Sequence, residues 1–163
     1  MTATETLALT LCAEAGGRPV RAIEALAALV VNRARLAAEG AASRARFAPG
    51  GAPGGWAGLV APVCRAPFLF GCWHARHPRR AVLLRILRDQ SAPSGGALPE
   101  PQPDPTLDIC RRIASRAVGG GLPDPTAGAT HWHDGAAMPG WAIGRIPTAE
   151  IGGLVFYRLG GGA

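Results

Sequence analysis

Apolar residues recur at Leu7 and Leu11 with helical spacing, and extending that series by one more step reaches Glu14 instead of another leucine. Thr2 and Glu5 stand at capping-box spacing ahead of the series, and Gly16-Gly17 follow it. The pattern therefore predicts a helix that starts after Thr2, stops at the glycines and carries Glu14 inward in its last turn. A second helix opens with Pro19 in its first turn and aligns Val20, Ile23, Ala27, Val30, Val31 and Ala34 on one stripe, which marks a core helix packed against the first. From Gly40 to Gly58 the periodicity disappears into Gly, Pro, Ala and Ser, as in a surface loop whose large residues are Phe47 and Trp56.

Further along, Leu59, Val60 and Val63 suggest a short helix stopped by Pro67. Arg79 to Asp89 reads as an amphipathic helix with Val82, Leu83, Ile86 and Leu87 on its apolar face. A Ser/Pro/Gly/Ala run from Ser91 to Pro105 reads as a mobile loop within one domain. A helix from Asp108 to Val118 follows, with Ile109, Ile113 and Val118 inward and Gly119 to Gly121 as its stop. Thr130 to His133 alternates as a strand, Thr130 and Trp132 on one face and His131 and His133 on the other, and Val155 to Arg158 offers a partner. The resulting fold class is α+β, mostly α-helical, with a small antiparallel β-sheet beside the helical body. At 163 residues one domain suffices, spanning 1–159, with a disordered Gly-rich tail at 160–163.

Composition removes several chemistries. All 17 basic residues are arginine, so a Schiff-base lysine, a P-loop and a lysine nucleophile are excluded. The net charge of +6 suits an acidic polymer, but the arginines are scattered and accompanied by no aromatic-rich nucleic-acid motif, so nucleic acid is not the expected partner. No window approaches a membrane span, and no export signal precedes the first helix, so the chain is expected to be monomeric and cytoplasmic as encoded. Cys12 and Cys110 fall in helical patterns as buried thiols; Cys64 and Cys72 flank a turn-rich segment and could bridge in an oxidising compartment. No cofactor is implied.

An inward Glu14 at a helix C-terminus would be disfavoured as an anion both by partial burial and by the negative end of the helix dipole, which is how a general acid is made at neutral pH. The plain alternative is that Glu14 curls out to solvent at a frayed end. Trp73, Trp132, Trp141 and Tyr157 could line a groove beside it, since sugar rings stack on aromatic faces, although each alone is more commonly core filling.

Ala13-Glu14-Ala15-Gly16-Gly17-Arg18-Pro19, followed by a helix ending Val30-Val31-Asn32-Arg33, resembles the opening of the SleB-type cell wall hydrolases, where it reads A-E-A-R-G-E-P and V-x-N-R. Leu69-Phe70-Gly71-Cys72-Trp73 resembles the family's Q-F-S-C-W, Asp124 to His133 resembles D-P-T-x-G-A-T-x-Y/W-H, and Ile151 to Tyr157 resembles I-G-x-H-x-F-Y. The departures are Arg18 for the second glutamate, Leu69 and Gly71 for the Gln and Ser, and Leu154 for the histidine. The resemblance implies a lysozyme-like fold and cleavage of peptidoglycan glycan strands between N-acetylmuramic acid and N-acetylglucosamine. It makes Glu14 catalytic and Phe70, Trp73, Thr130, His131, Trp132, His133 and Tyr157 substrate-binding, with no metal.

Glycosidases usually use two carboxylates, whereas a lytic transglycosylase manages with one, and the chain suits the second scheme because Asp134, the one acid in the later motif, also reads as a turn residue. Two other readings stay open. One is a zinc amidase or endopeptidase built from His131, His133 and some of His74, His77 and the cysteines. The other is a non-enzymatic wall-binding or phage-like structural module.

Overall fold

The computed structural model describes residues 1–91 and 104–160. Among the described residues six helices and a three-stranded sheet follow in chain order: α1 (Ala3–Ala15), α2 (Val20–Ala38), α3 (Ala41–Phe47), α4 (Val60–Cys64), α5 (Arg79–Gln90), α6 (Pro105–Val118), β1 (His131–Asp134), β2 (Ala149–Ile151) and β3 (Leu154–Tyr157). Single 3-10 turns occur at Trp56–Leu59, Gly71–Trp73 and Gly140–Ala142. This is the expected α+β architecture, mostly helical with a small antiparallel sheet.

Helix α1 is the axis of the body. Every residue from Thr6 to Ala15 is buried, because α2, α4, α5 and α6 surround it. Two threonines survive there because each hydroxyl bonds the carbonyl one turn back, Thr6 to Thr2 at 2.9 Å and Thr10 to Thr6 at 2.7 Å. Thr2 caps the start by accepting from the Glu5 N–H at 3.1 Å, as the spacing predicts. The Glu5 carboxylate turns instead to Arg111 on α6, at 3.4 Å.

Helix α2 buries Ile23, Ala27, Val30, Val31 and Ala34 as expected, but Val20, its first residue, is 47% exposed. The stripe starts one turn later than the spacing suggests. The expected loop from Gly40 contains a helix, α3, in which Ala, Ser and Arg supply helix propensity without periodicity and Phe47 alone reaches the core. Helix α6 begins before Asp108, with Asp104 as its N-cap and Pro105 in its first turn. Its buried stripe is Leu107, Cys110, Ile113, Ala114 and Ala117, which turns Ile109 outward at 37% exposure. Most of the loop expected over Ser91 to Pro105 and the tail beyond Gly160 lie outside the described residues.

The sheet order is β1-β3-β2, all antiparallel, so the partner strand foreseen for β1 sits in the centre and β2 adds an edge the sequence pattern did not announce. The register pairs His131 with Tyr157, Trp132 with Phe156, His133 with Val155 and Asp134 with Leu154. Alternation therefore sends Trp132, Asp134, Phe156 and Leu154 to one face and His131, His133, Val155 and Tyr157 to the other. Phe156 and Leu154 are fully buried against the helices, so the Trp132 and Asp134 face is the one applied to the body.

Candidate active site

Glu14 sits in the last turn of α1, 6% exposed, and does not curl out. Its Oε1 accepts a hydrogen bond from the Cys72 backbone N–H at 2.8 Å. Its Oε2 has no partner among the described residues and is not a fully enclosed atom, which leaves it toward a cleft of about 620 Å³. The turn that presents the Cys72 N–H is fixed from below: Trp73 Nε1 donates to Thr10 Oγ1 at 2.9 Å, one helical turn before Glu14, and Arg65 stacks over the Trp73 ring at 5.0 Å. Burial and the Glu14 carboxylate hold the Cys72 thiol well above the usual cysteine range. Cys72 is therefore a neutral thiol at neutral pH and no nucleophile.

The cleft is bounded by Glu14 and Arg18 on one side, by the segment Phe68 to Gly71 and His74 to Arg79, and by Trp132 and Asp134 of β1. Trp132 is half-buried, tied by Nε1 to the Leu69 carbonyl at 3.2 Å and backed by Phe70 at a ring separation of 5.9 Å. Arg18 pairs with Asp134, and its other terminal nitrogen donates to the Gly152 carbonyl at 3.1 Å. The Asp134 carboxyl is held below the usual carboxylate range, first by the Ala136 N–H and then by Arg18, against a smaller opposing effect of burial. It is an anion throughout the neutral range.

Of the residues expected to bind substrate, Trp132 alone shares this cleft with Glu14. Phe70 is wholly buried and serves as the floor beneath Trp132. Trp73 is committed to Thr10 and Arg65. Thr130 is buried with its hydroxyl engaged by His131 Nδ1 at 2.8 Å and by the Leu159 N–H at 3.2 Å. His133 and Tyr157 form a stacked pair on the far face of the sheet, with Nε2 to hydroxyl at 3.0 Å and Trp141 packed edge-on to both. His131 is on that face too, 5.7 Å from Trp141, but it lines a neighbouring cavity of about 350 Å³ in which Phe68, Leu69 and Trp132 also take part.

The Asn32-Arg33 end of α2 and the Asp124 to Thr130 segment turn out to be one structural clamp. Asn32 Nδ2 donates to Asp124 Oδ2 and to the Ala129 carbonyl, both at 3.0 Å, and Arg33 Nε donates to the Thr130 carbonyl at 2.6 Å. Asp124 in turn accepts from the Thr126 N–H, the Thr126 hydroxyl and the Gly128 N–H at 2.8, 2.6 and 2.8 Å. This network holds the turn that delivers β1, including Ala127 at φ 55°.

Several cleft residues escaped the sequence reading. Asp134 reads as a turn residue, and its partnership with Arg18 spans 116 positions, which no local signal announces. Phe68 is fully exposed at the rim with φ 66°, a conformation uncommon for a bulky residue, and lines both cavities. His74 and His77 line the cleft, away from His131 and His133, so neither joins that pair as a third ligand in the zinc reading. Among the described residues no three His, Cys, Asp or Glu side chains are grouped to hold a metal ion. All four cysteines are free and buried, and no helix among the described residues is long and apolar enough to cross a membrane. Compared with family models, with curated proteins and with solved structures, the chain gives no match.

Proposed function

We propose that the chain is a peptidoglycan-cleaving glycosidase of the lytic transglycosylase type, acting on the bond between N-acetylmuramic acid and N-acetylglucosamine with Glu14 as its acid. One observation carries the reading: a glutamate buried at the end of the central helix, with one carboxylate oxygen fixed by a backbone N–H and the other open to a cleft walled by a tryptophan. A fixed carboxyl beside an aromatic wall suits a sugar ring stacked on Trp132 with its glycosidic oxygen toward Glu14.

In this reaction Glu14 gives its proton to the leaving glycosidic oxygen as the C1–O bond breaks. The C6 hydroxyl of the muramic acid then bonds to C1, and its proton returns to Glu14, leaving a 1,6-anhydro ring and an unchanged enzyme. Hydrolysis is the second reading, supported by Asp134, an anion in the same cleft that could orient a water. Glycan strands are the partner, and the working form is a monomer.

Digestion of purified sacculi followed by analysis of the product ends tests the proposal. The expected result is 1,6-anhydromuramic ends, formed in the presence of a chelator as readily as in its absence. Reducing ends would move the assignment to hydrolysis, and no soluble products would refute the enzymatic reading.

A further inference from the structure

Glycine at position 71 leaves a hollow in the cleft wall, and the imidazole of His77 fills it: a methyl group added at Gly71 would overlap the ring at Nδ1, Cγ and Cε1. The ring is held there by a second contact, because His77 Nδ1 accepts the Arg79 backbone N–H at 3.1 Å. An Nδ1 that accepts carries no proton, so the neutral ring bears its proton on Nε2 and offers a donor to the cleft. The seat adjoins the catalytic acid directly, since Cys72, the next residue, supplies the N–H that fixes Glu14.

Three residues before His77, His74 lines the same cleft, and its Nε2 is the one buried side-chain polar atom without a hydrogen-bond partner among the described residues. A buried nitrogen left unpaired is disfavoured, and that penalty is relieved when a partner arrives. The loop holding both rings is wound tightly by its own backbone, with the His74 N–H on the Gly71 carbonyl at 2.9 Å and the His77 N–H on the His74 carbonyl at 3.0 Å. Its backbone is therefore set before any ligand binds, while the two rings are free to turn.

We propose that His74 and His77 form a two-imidazole subsite that binds the hydroxyl and acetamido groups of a sugar ring next to the one undergoing cleavage. His77 Nε2–H donates to an oxygen of the ring substituents, and a hydroxyl, being both donor and acceptor, satisfies His74 Nε2 once that ring turns its enclosed nitrogen toward the cleft. The subsite rests on the glycosidase reading for its ligand, but it is a statement about binding and not about proton transfer.

The test uses Gly71→Ala, His77→Ala and the double variant, with an N-acetylglucosamine oligomer as the binding probe and sacculi as the substrate. Because His77 is an exposed, flexible side chain, Gly71→Ala swings the ring out of its seat without disturbing the core. Each single variant should bind the oligomer about tenfold more weakly and raise KM on sacculi with kcat nearly unchanged. The double variant should be no worse than either single one, since both changes remove the same ring from the same seat. Titration with the oligomer should also shift the His74 Nε2 resonance in a nitrogen-15 imidazole spectrum. Cleavage with oligomer affinity indifferent to Gly71 and His77, or a silent His74 resonance, overturns the subsite and leaves the glycosidase reading intact. Binding that depends on His77 without any cleavage leaves the subsite standing and removes the reading. A chain that neither binds nor cleaves removes both.

Discussion

The two faces of β1 hold equally conspicuous side chains and do different things. On one face Trp132 and Asp134 border the cleft into which Glu14 opens, Trp132 tied to the Leu69 carbonyl and Asp134 to the Ala136 N–H and Arg18. On the other, His131 and His133 gather with Trp141 and Tyr157 into an aromatic cluster in which His133 bonds the Tyr157 hydroxyl and His131 bonds the Thr130 hydroxyl beside it. Four consecutive residues are thus divided by the two-residue period of a strand into a half of open chemistry and a half of closed packing. Nearness in sequence to a recognisable motif says little about which half a residue belongs to, whereas alternation says nearly everything.

The sharpest break of that comparison is at the cleft. Glu14→Gln keeps shape and keeps an acceptor for the Cys72 N–H, yet it removes the proton on which the proposed cleavage depends. Digestion of sacculi should fall by at least the ~10²–10⁴ typical of one acid, with thermal stability unchanged or slightly higher. Normal digestion by this variant would dismiss the site. The next largest effect contrasts the faces directly. Tyr157→Ala empties a site only 2% exposed and frees His133, so it should cost about 3–5 kcal/mol of stability in urea unfolding. Trp132→Ala should cost far less stability while weakening glycan binding at least as much as the loss of one stacking partner, about 1 kcal/mol. If Trp132→Ala unfolds like Tyr157→Ala and the folded fraction turns over normally, both faces are core.

The central element was legible because its signals agree. The cap at Thr2, the leucine spacing and the paired glycines all describe α1 and put Glu14 on the leucine series, but that it stays inward instead of curling out is decided by α2, α4, α5 and α6, which enclose the helix. The sheet partnership of β1 and β3 was legible by alternation, and the face on which Trp132 lies came with it. What failed was whatever depends on the partner of a polar atom. Nothing local distinguishes Trp73, whose ring nitrogen finds Thr10, from Trp132, whose ring faces the cleft. Thr130 reads as an open hydroxyl until Leu159 and His131 enclose it. Helix α3 was missed for a different reason, because its propensity is carried by Ala and Arg while its single buried anchor, Phe47, has no period to betray it.

A smaller effect is expected at Asp134, where the two readings of the reaction diverge. Its pair with Arg18 is partly exposed, and such pairs contribute at most about 1 kcal/mol. If Asp134 only steadies Arg18 and the β1 end of the cleft, Asp134→Asn should reduce digestion less than about tenfold and leave the product ends unaltered. If Asp134 orients a water, the same variant should approach the loss seen for Glu14→Gln, and the unmutated protein should yield reducing ends. The two measurements must agree, which makes the pair of outcomes more demanding than either alone.

The smallest expected effect is on the closed face and is read in pH instead of rate. Burial, and after it the charges of Arg33, Arg46 and Arg145, depresses the His131 imidazole from its ordinary 6.5 to about 4. As pH falls below 6.5 the unfolded chain takes up a proton that the folded one refuses until about 4, so the unfolded state binds more protons over that window and stability falls with falling pH. The contribution is fully present above 6.5 and fully lost below about 4. His131→Gln keeps a polar group toward the Thr130 hydroxyl but cannot titrate. Between pH 7 and 5.5 the unmutated protein should therefore lose about 1 kcal/mol more than the variant in urea unfolding. The comparison within one pH cancels the carboxylates, including Asp124, whose hydrogen bonds from Thr126, Asn32 and Gly128 outweigh its burial and keep it ionised below the usual range. A variant with the same pH slope as the parent would mean that His131 charges freely in the folded state. The face opposite Glu14 would then be open to water, and the contrast between the two sides of β1 would fail at the residue where it is most readily measured.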